Sequence, residues 1–165
     1  MKEKFNLKID INNQLSDEAI PQKKIIKKWL RQSLEFINDD IGVQKRFLEV
    51  SYKIVSLNQM QNLNNKFRQK NIATNVLSFP SDFEEMILPK SMKRFHLGDV
   101  VICAEFVKHE AKKLNREQIF HWCHICVHGF LHLFGYDHII DNDAEKMQFI
   151  ERKICNNLDF TDPYQ

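Results

Sequence analysis

The sequence predicts an α+β domain in which a four-stranded sheet is packed by helices. Three observations lead there. Apolar residues alternate with polar ones in several short stretches before residue 104. From Ala104 onward the apolar residues recur at helical spacing instead. The 165 residues, 43 % of them hydrophobic, suffice for one domain over residues 1–165 around a single core. No internal repeat, low-complexity tract or Pro/Gly linker divides it.

Phe5, Leu7, Ile9 and Ile11 alternate with polar neighbours and give a first strand with one buried face. Ile20, Ile25, Ile26, Trp29, Leu30, Leu34 and Ile37 follow at helical spacing, which predicts a helix from Asp17 to about Ile37. Phe47 to Val55 alternates again and is the second strand. Ser56 suits the N-cap of a helix running to about Phe67. Val76 to Phe79 is a short strand stopped by Pro80. Residues 81–96 read as a polar loop, and Leu97 to Cys103 as the fourth strand. Helices are expected over Ala104 to about Asn115, Glu117 to Phe134, and from a cap at Asp141 or Asn142 to about Asn156. Gly135 suits the left-handed residue that ends the second of these.

No apolar run approaches the ~18 residues needed to span a bilayer, so no membrane partner is expected. The stretch Met1–Lys8 alternates charge with apolar residues and lacks a signal-peptide core, which predicts a cytoplasmic protein. Four cysteines fit reduced thiols. A net charge of +2 does not announce a nucleic-acid binder. Two basic clusters stand out locally. Lys23, Lys24, Lys27, Lys28 and Arg31 share the first helix and read as a solvated face. Lys90, Lys93 and Arg94 fall in the loop before the fourth strand and can serve either as a solvated face or as a backbone guide.

The richest stretch is His128-Gly129-Phe130-Leu131-His132-Leu133-Phe134-Gly135-Tyr136-Asp137-His138. Positions i and i+4 of a helix share a face about 6 Å apart, so His128 and His132 can aim at one ion. A third ligand must come from beyond the helix, because His124 and His132 stand ~12 Å apart along its axis. His138, three residues past Gly135, is that ligand. Three histidines leave a coordination position open for water, the arrangement of a catalytic zinc. His124 belongs beside the ligands, on the substrate side, or among half-buried residues. Asp137 is expected to brace the turn or donate support to a ligand. Cys123 and Cys126 carry zinc-pair spacing, but Cys126 points away from His128, so both read as core residues. Cys103 and Cys155 read likewise.

His128, His132, Gly135 and His138 match the ligands and glycine of the H-E-x-x-H-x-x-G-x-x-H metalloprotease signature. The general base of that signature is a glutamate, and here its position is Gly129. Base assistance is typically worth ~10²–10⁴-fold. A substrate that supplies its own nucleophile is indicated, and RNA, with its 2′-hydroxyl, qualifies. Phosphoryl chemistry also calls for a cation at the developing charge, for which Arg68 is the candidate.

These residues resemble a known family. The run Val127–His138 is similar to the signature of the YbeY family of bacterial endoribonucleases. Leu63-Asn64 with Arg68, Thr74-Asn75-Val76-Leu77-Ser78-Phe79-Pro80, Leu97-Gly98-Asp99-Val100-Val101-Ile102 and Asp162-Pro163-Tyr164 resemble further blocks of that family in the same order. The family commonly has aspartate where this chain has Asn75. The resemblance implies a small mixed sheet, one zinc ion on His128, His132 and His138, and Arg68 acting in the cleft. It implies a single-strand-specific endoribonuclease that matures rRNA, notably the 3′ end of 16S rRNA, and serves ribosome quality control. Single-stranded RNA, rRNA and ribosomal subunits are then the partners, and DNA is not. The competing readings are a zinc metalloprotease-like hydrolase and a non-catalytic ribosome-binding module with a structural zinc.

Overall fold

A computed structural model describes residues 5–16, 19–37, 46–82 and 93–165. In chain order the elements are β1 (Asn6–Asn13), α1 (Lys23–Ser33), β2 (Phe47–Val55), α2 (Leu57–Arg68), β3 (Val76–Pro80), β4 (Arg94–Cys103), α3 (Ala104–Lys113), α4 (Gln118–Leu133) and α5 (Asp141–Asn157). The α+β class holds, and the sheet is mixed. Its order is β1-β2-β4-β3, with β1, β2 and β4 parallel and β3 antiparallel to β4.

Alternation sets the two faces of the sheet. Leu7, Ile9, Leu48, Val50, Tyr52, Ile54, Val100 and Ile102 point to one side, where α1 and α4 cover them and α5 packs on those helices in the larger core. Val55, Leu77, Val101 and Cys103 form a smaller cluster with Met60 of α2. α4 is the central helix: twelve of its sixteen residues are buried, and a helix apolar on nearly every side must be surrounded. Tyr52 Oη donates to Cys126 O at 2.8 Å and ties β2 to α4.

Several sequence expectations shift. α1 begins six residues later than Asp17: Pro21 disfavours helical geometry at the residue before it, and Gln22 is extended at ψ 148° and takes the cap position. It ends at Ser33, whose hydroxyl bonds back to Trp29 O at 2.8 Å. Its lysines face outward as expected, while Arg31 donates to Phe5 O of the first strand's approach at 3.1 Å. Ser56 caps α2 in a full capping box with Gln59. Pro80 closes β3 from within: on an edge strand its missing N–H costs no ladder bond. β4 starts three residues earlier than Leu97, so Arg94 belongs to a strand rather than a loop. It lies over the Phe47 ring and 3.8 Å from Glu49. Lys90 lies outside the described residues. Ile140, not Asp141 or Asn142, takes the cap position of α5, and both aspartates of the first turn, Asp141 and Asp143, face the positive helix end.

Two glycines let the layers meet. A β-bulge opens between Glu49 and Val50 against β4, and Gly98 follows it with φ 142°. A Cβ there would stand 2.3 Å from Phe79 O, so only glycine lets β3 lie against β4. Gly129 carries α4 onto the sheet. A Cβ on it would stand 2.7 Å from Val100 Cγ1 and 3.1 Å from Val76 Cγ2.

Candidate metal centre

His128 and His132 project from consecutive turns of α4. The helix then ends in a Schellman motif: Gly135 N–H donates to His132 O at 3.1 Å and Tyr136 N–H to Leu131 O at 3.3 Å. Gly135 takes φ 86°, which a side chain would resist. The reversal returns His138 to the helix. Its ring centroid lies 5.4 Å from that of His128 and 5.1 Å from that of His132. One ligand nitrogen from each of the three falls within 4.8 Å of the other two. Asp137 Oδ1 accepts from His138 N–H at 2.7 Å and so braces this turn, one of the two roles expected of it.

The hydrogen bonds fix which nitrogens are free. His128 Nδ1–H donates to Glu151 Oε1 at 2.6 Å, and His132 Nδ1–H donates to Tyr136 O at 2.8 Å. A neutral imidazole has one N–H, so each Nε2 carries only a lone pair. Those two lone pairs face each other at 3.1 Å. Neither can donate to the other, and a cation between them removes the repulsion. Two nitrogens on a tetrahedral zinc at ~2.0–2.1 Å are about 3.3 Å apart, so the pair fits such an ion. Burial, then the charges of His128 and His138, hold the His132 imidazole down at about 4, which keeps it unprotonated and available as a ligand at neutral pH.

Glu151 is the residue that the sequence reading missed. It lies on α5, fully buried. Burial alone would raise its carboxyl, but the histidine contacts of His124 and His128 outweigh that and hold it at about 2. A carboxylate behind the ligand's other nitrogen sets tautomer and ring orientation. The signal was present: Glu151 interrupts the buried stripe of Met147, Ile154 and Cys155. His124, His128 and Glu151 also group closely enough to suggest a second cation. The 2.6 Å approach of His128 to Glu151 is a hydrogen-bond distance, shorter than two ligands of one ion allow, so the carboxylate holds the histidine instead.

His124 stands outside the three-histidine group. Its Nε2 is 3.3 Å from Glu151 Oε1, although the angles fall short of a hydrogen bond. Arg116 Nη1 approaches Nδ1 of both His124 (3.4 Å) and His121 (3.2 Å). Those nitrogens therefore accept, and His121 Nε2–H donates to Glu110 at 2.8 Å. Asn75 Nδ2 completes the chain by donating to Glu110 Oε2 at 3.1 Å. The departure from aspartate is explained locally, since a carboxylate at 75 would face the carboxylate of Glu110.

Arg68 is exposed at the end of α2. Its guanidinium donates to Ser78 O at 3.1 Å and lies 5.3 Å over the Phe79 ring. Ser78 Oγ in turn donates to Gly129 O at 2.9 Å, one residue after His128. Arg68 thus reaches the edge strand against which α4 packs, and no described contact joins it directly to the histidines. It borders a cleft of about 470 Å³ that Asn75, Phe106 and Glu110 also line. The four cysteines are buried and free. Burial pushes the Cys123 and Cys126 thiols up, as core residues require, not metal ligands.

Comparison with known proteins identifies relatives of the whole chain. The profile of one family, Endoribonuclease YbeY, matches residues 10–159. The protein of that name from Idiomarina loihiensis is 39 % identical over 159 residues, covering 95 % of this chain and 92 % of its own. That from Buchnera aphidicola subsp. Baizongia pistaciae is 40 % identical over 163 residues, covering 97 % and 99 %. In fold, the chain is similar to the solution structure of a Thermotoga maritima protein, with a TM-score of 0.54 at 22 % identity over 96 % of this chain and 99 % of that one.

Proposed function

Because the chain belongs to the YbeY endoribonuclease family, we propose that it is a zinc-dependent endoribonuclease specific for single-stranded RNA. Its task is rRNA processing in the cytoplasm, at the 3′ end of 16S rRNA, and ribosome quality control, with rRNA and ribosomal subunits as partners. The observation that carries the reading is the pair of His128 and His132 lone pairs facing each other at 3.1 Å, each fixed by an acceptor behind the ring.

His128, His132 and His138 hold the ion, and Glu151 and the Tyr136 carbonyl orient the first two. When bound, zinc supplies Lewis-acid polarisation of a phosphate oxygen or an activated water. Arg68, the catalytic candidate, sits where a phosphate passing along the β3 edge meets its guanidinium, and it stabilises charge developing on the oxygens. Two features weigh against peptide hydrolysis. Gly129 stands where that chemistry places its base, and the space beyond its Cα is filled by Val100 and Val76. The three-histidine set leaves a position for water or substrate, which weighs against a purely structural ion.

His132→Ala tests the reading. The variant is expected to lose zinc and cleavage of a single-stranded RNA together while keeping its far-UV spectrum. Full cleavage by a folded, metal-free His132→Ala protein overturns the mechanism. Chelator-sensitive turnover of a casein substrate, with no action on RNA, would favour the peptidase.

A further inference from the structure

The segment after α5 folds back onto the metal centre. Asp159 turns the chain at φ 62°, and Phe160 N–H donates to Cys155 O at 2.9 Å. Phe160 then stacks on Phe120 of α4, centroids 5.1 Å apart. Arg116 Nη2 donates to Pro163 O at 2.6 Å. Asp162 accepts from Tyr164 N–H at 2.8 Å and from Arg152 Nε at 3.0 Å. These anchors set the Tyr164 ring edge-on to His124, 5.4 Å between centroids, and its hydroxyl donates to Glu151 Oε2.

That last bond meets a specific need. Glu151 is wholly buried, and its Oε1 is committed to His128 with His124 beside it. Oε2 has no access to water, and Tyr164 supplies its donor. Without that donor the carboxylate can turn to share its other oxygen with the histidines, and the His128 ring loses its fixed partner. Resting on the reading of His128, His132 and His138 as ligands, we propose that Tyr164 is a positioning residue of the metal centre, locking the carboxylate that orients His128. Metal binding and docking of the Asp159–Tyr164 segment then strengthen each other, since a group that favours the bound arrangement is favoured by it in return.

The test is zinc affinity of the full chain, measured by competition with a chromophoric chelator in the absence of RNA. Glu151→Gln is expected to weaken zinc ~10–100-fold, the usual cost of removing a ligand's hydrogen-bond partner. Tyr164→Phe, acting one bond further out, is expected to weaken it about 3–10-fold. Phe149→Ala, on the exposed face of the same helix, is expected to change nothing. In the metal-free protein the His128 Nδ1 proton resonance is expected to shift in Tyr164→Phe and not in Phe149→Ala. Asp162→Ala, which removes the acceptor of the Tyr164 N–H and of Arg152 without altering the tyrosine, should reproduce both effects and serves if Tyr164→Phe does not fold. Zinc affinity and an Nδ1 resonance unchanged in Tyr164→Phe overturn the inference alone. An unsubstituted chain that takes up no zinc overturns the ligand reading and this inference with it.

Discussion

Gly129→Ala is the substitution whose cost the packing sets most directly. Two effects oppose. Alanine in a helix interior gains about 1 kcal/mol over glycine. Against this, the new Cβ meets Val100 Cγ1 at 2.7 Å and Val76 Cγ2 at 3.1 Å, both inside ordinary contact at 3.4 Å. The first overlap requires α4 and β4 to part by 3.4 − 2.7 = 0.7 Å. Val100 is a stiff β-branched residue on an inner strand and is fully buried, so it has little room to turn away. Overpacking of this kind costs ~1–3 kcal/mol. The net loss is ~0–2 kcal/mol, and at about 2–4 °C per kcal/mol for a chain of this size the melting temperature falls by a few degrees. Gly129→Glu, which restores the peptidase signature, is expected to lose far more stability and to gain no peptidase activity. The assay is thermal unfolding of both variants, with casein turnover for the second. A Gly129→Ala protein clearly more stable than the parent, or a Gly129→Glu protein that folds and turns over casein, refutes the close-approach reasoning.

Two further outcomes are expected. Arg68→Ala should lower affinity for single-stranded RNA and slow its cleavage while leaving zinc content intact and stability within ~0.5 kcal/mol, as exposed positions usually do; unchanged RNA binding and cleavage would remove Arg68 from the site. Glu110 should contribute to acid sensitivity. Burial pushes its carboxyl up, but hydrogen bonds from His121 and Asn75 outweigh it, so the folded value lies below the ordinary one. A depressed folded value means stability that is present above the unfolded carboxyl's range and lost as pH falls through the folded one. Glu110→Gln should therefore flatten part of the stability loss between neutral pH and the acid range, and identical pH profiles by urea unfolding would contradict this.

The strands and most helices were legible because burial on one face writes itself as alternation or as a 3.6-residue stripe. The ends were not. Pro21 and the extended Gln22 set the start of α1, while the apolar spacing ran through them undisturbed. The grouping of the three histidines was legible because i, i+4 and a glycine turn are local geometry. Glu151 showed only as a break in the buried stripe of α5; its role did not, because its partner His128 is 23 positions away and only the packing of α5 on α4 joins them. Arg116 was hidden for the same reason: it links His121, His124 and Pro163, the last 47 residues away.

Glu151 also bears on the choice of substrate. The centre does contain a carboxylate, and it is tempting to give it the part that the absent residue 129 side chain plays in peptidases. Its environment forbids that. Its oxygens are occupied by His128 and Tyr164, it has no exposure, and its carboxyl is held at about 2, so it is a weak proton acceptor at neutral pH. A general base works best with a value near the operating pH. The helix cannot host a base after His128 because the sheet is too close, and the carboxylate that α5 delivers is spent on orienting the His128 ring. An RNA substrate brings its own nucleophile in the 2′-hydroxyl, so it does not depend on a base that activates water as a peptide does.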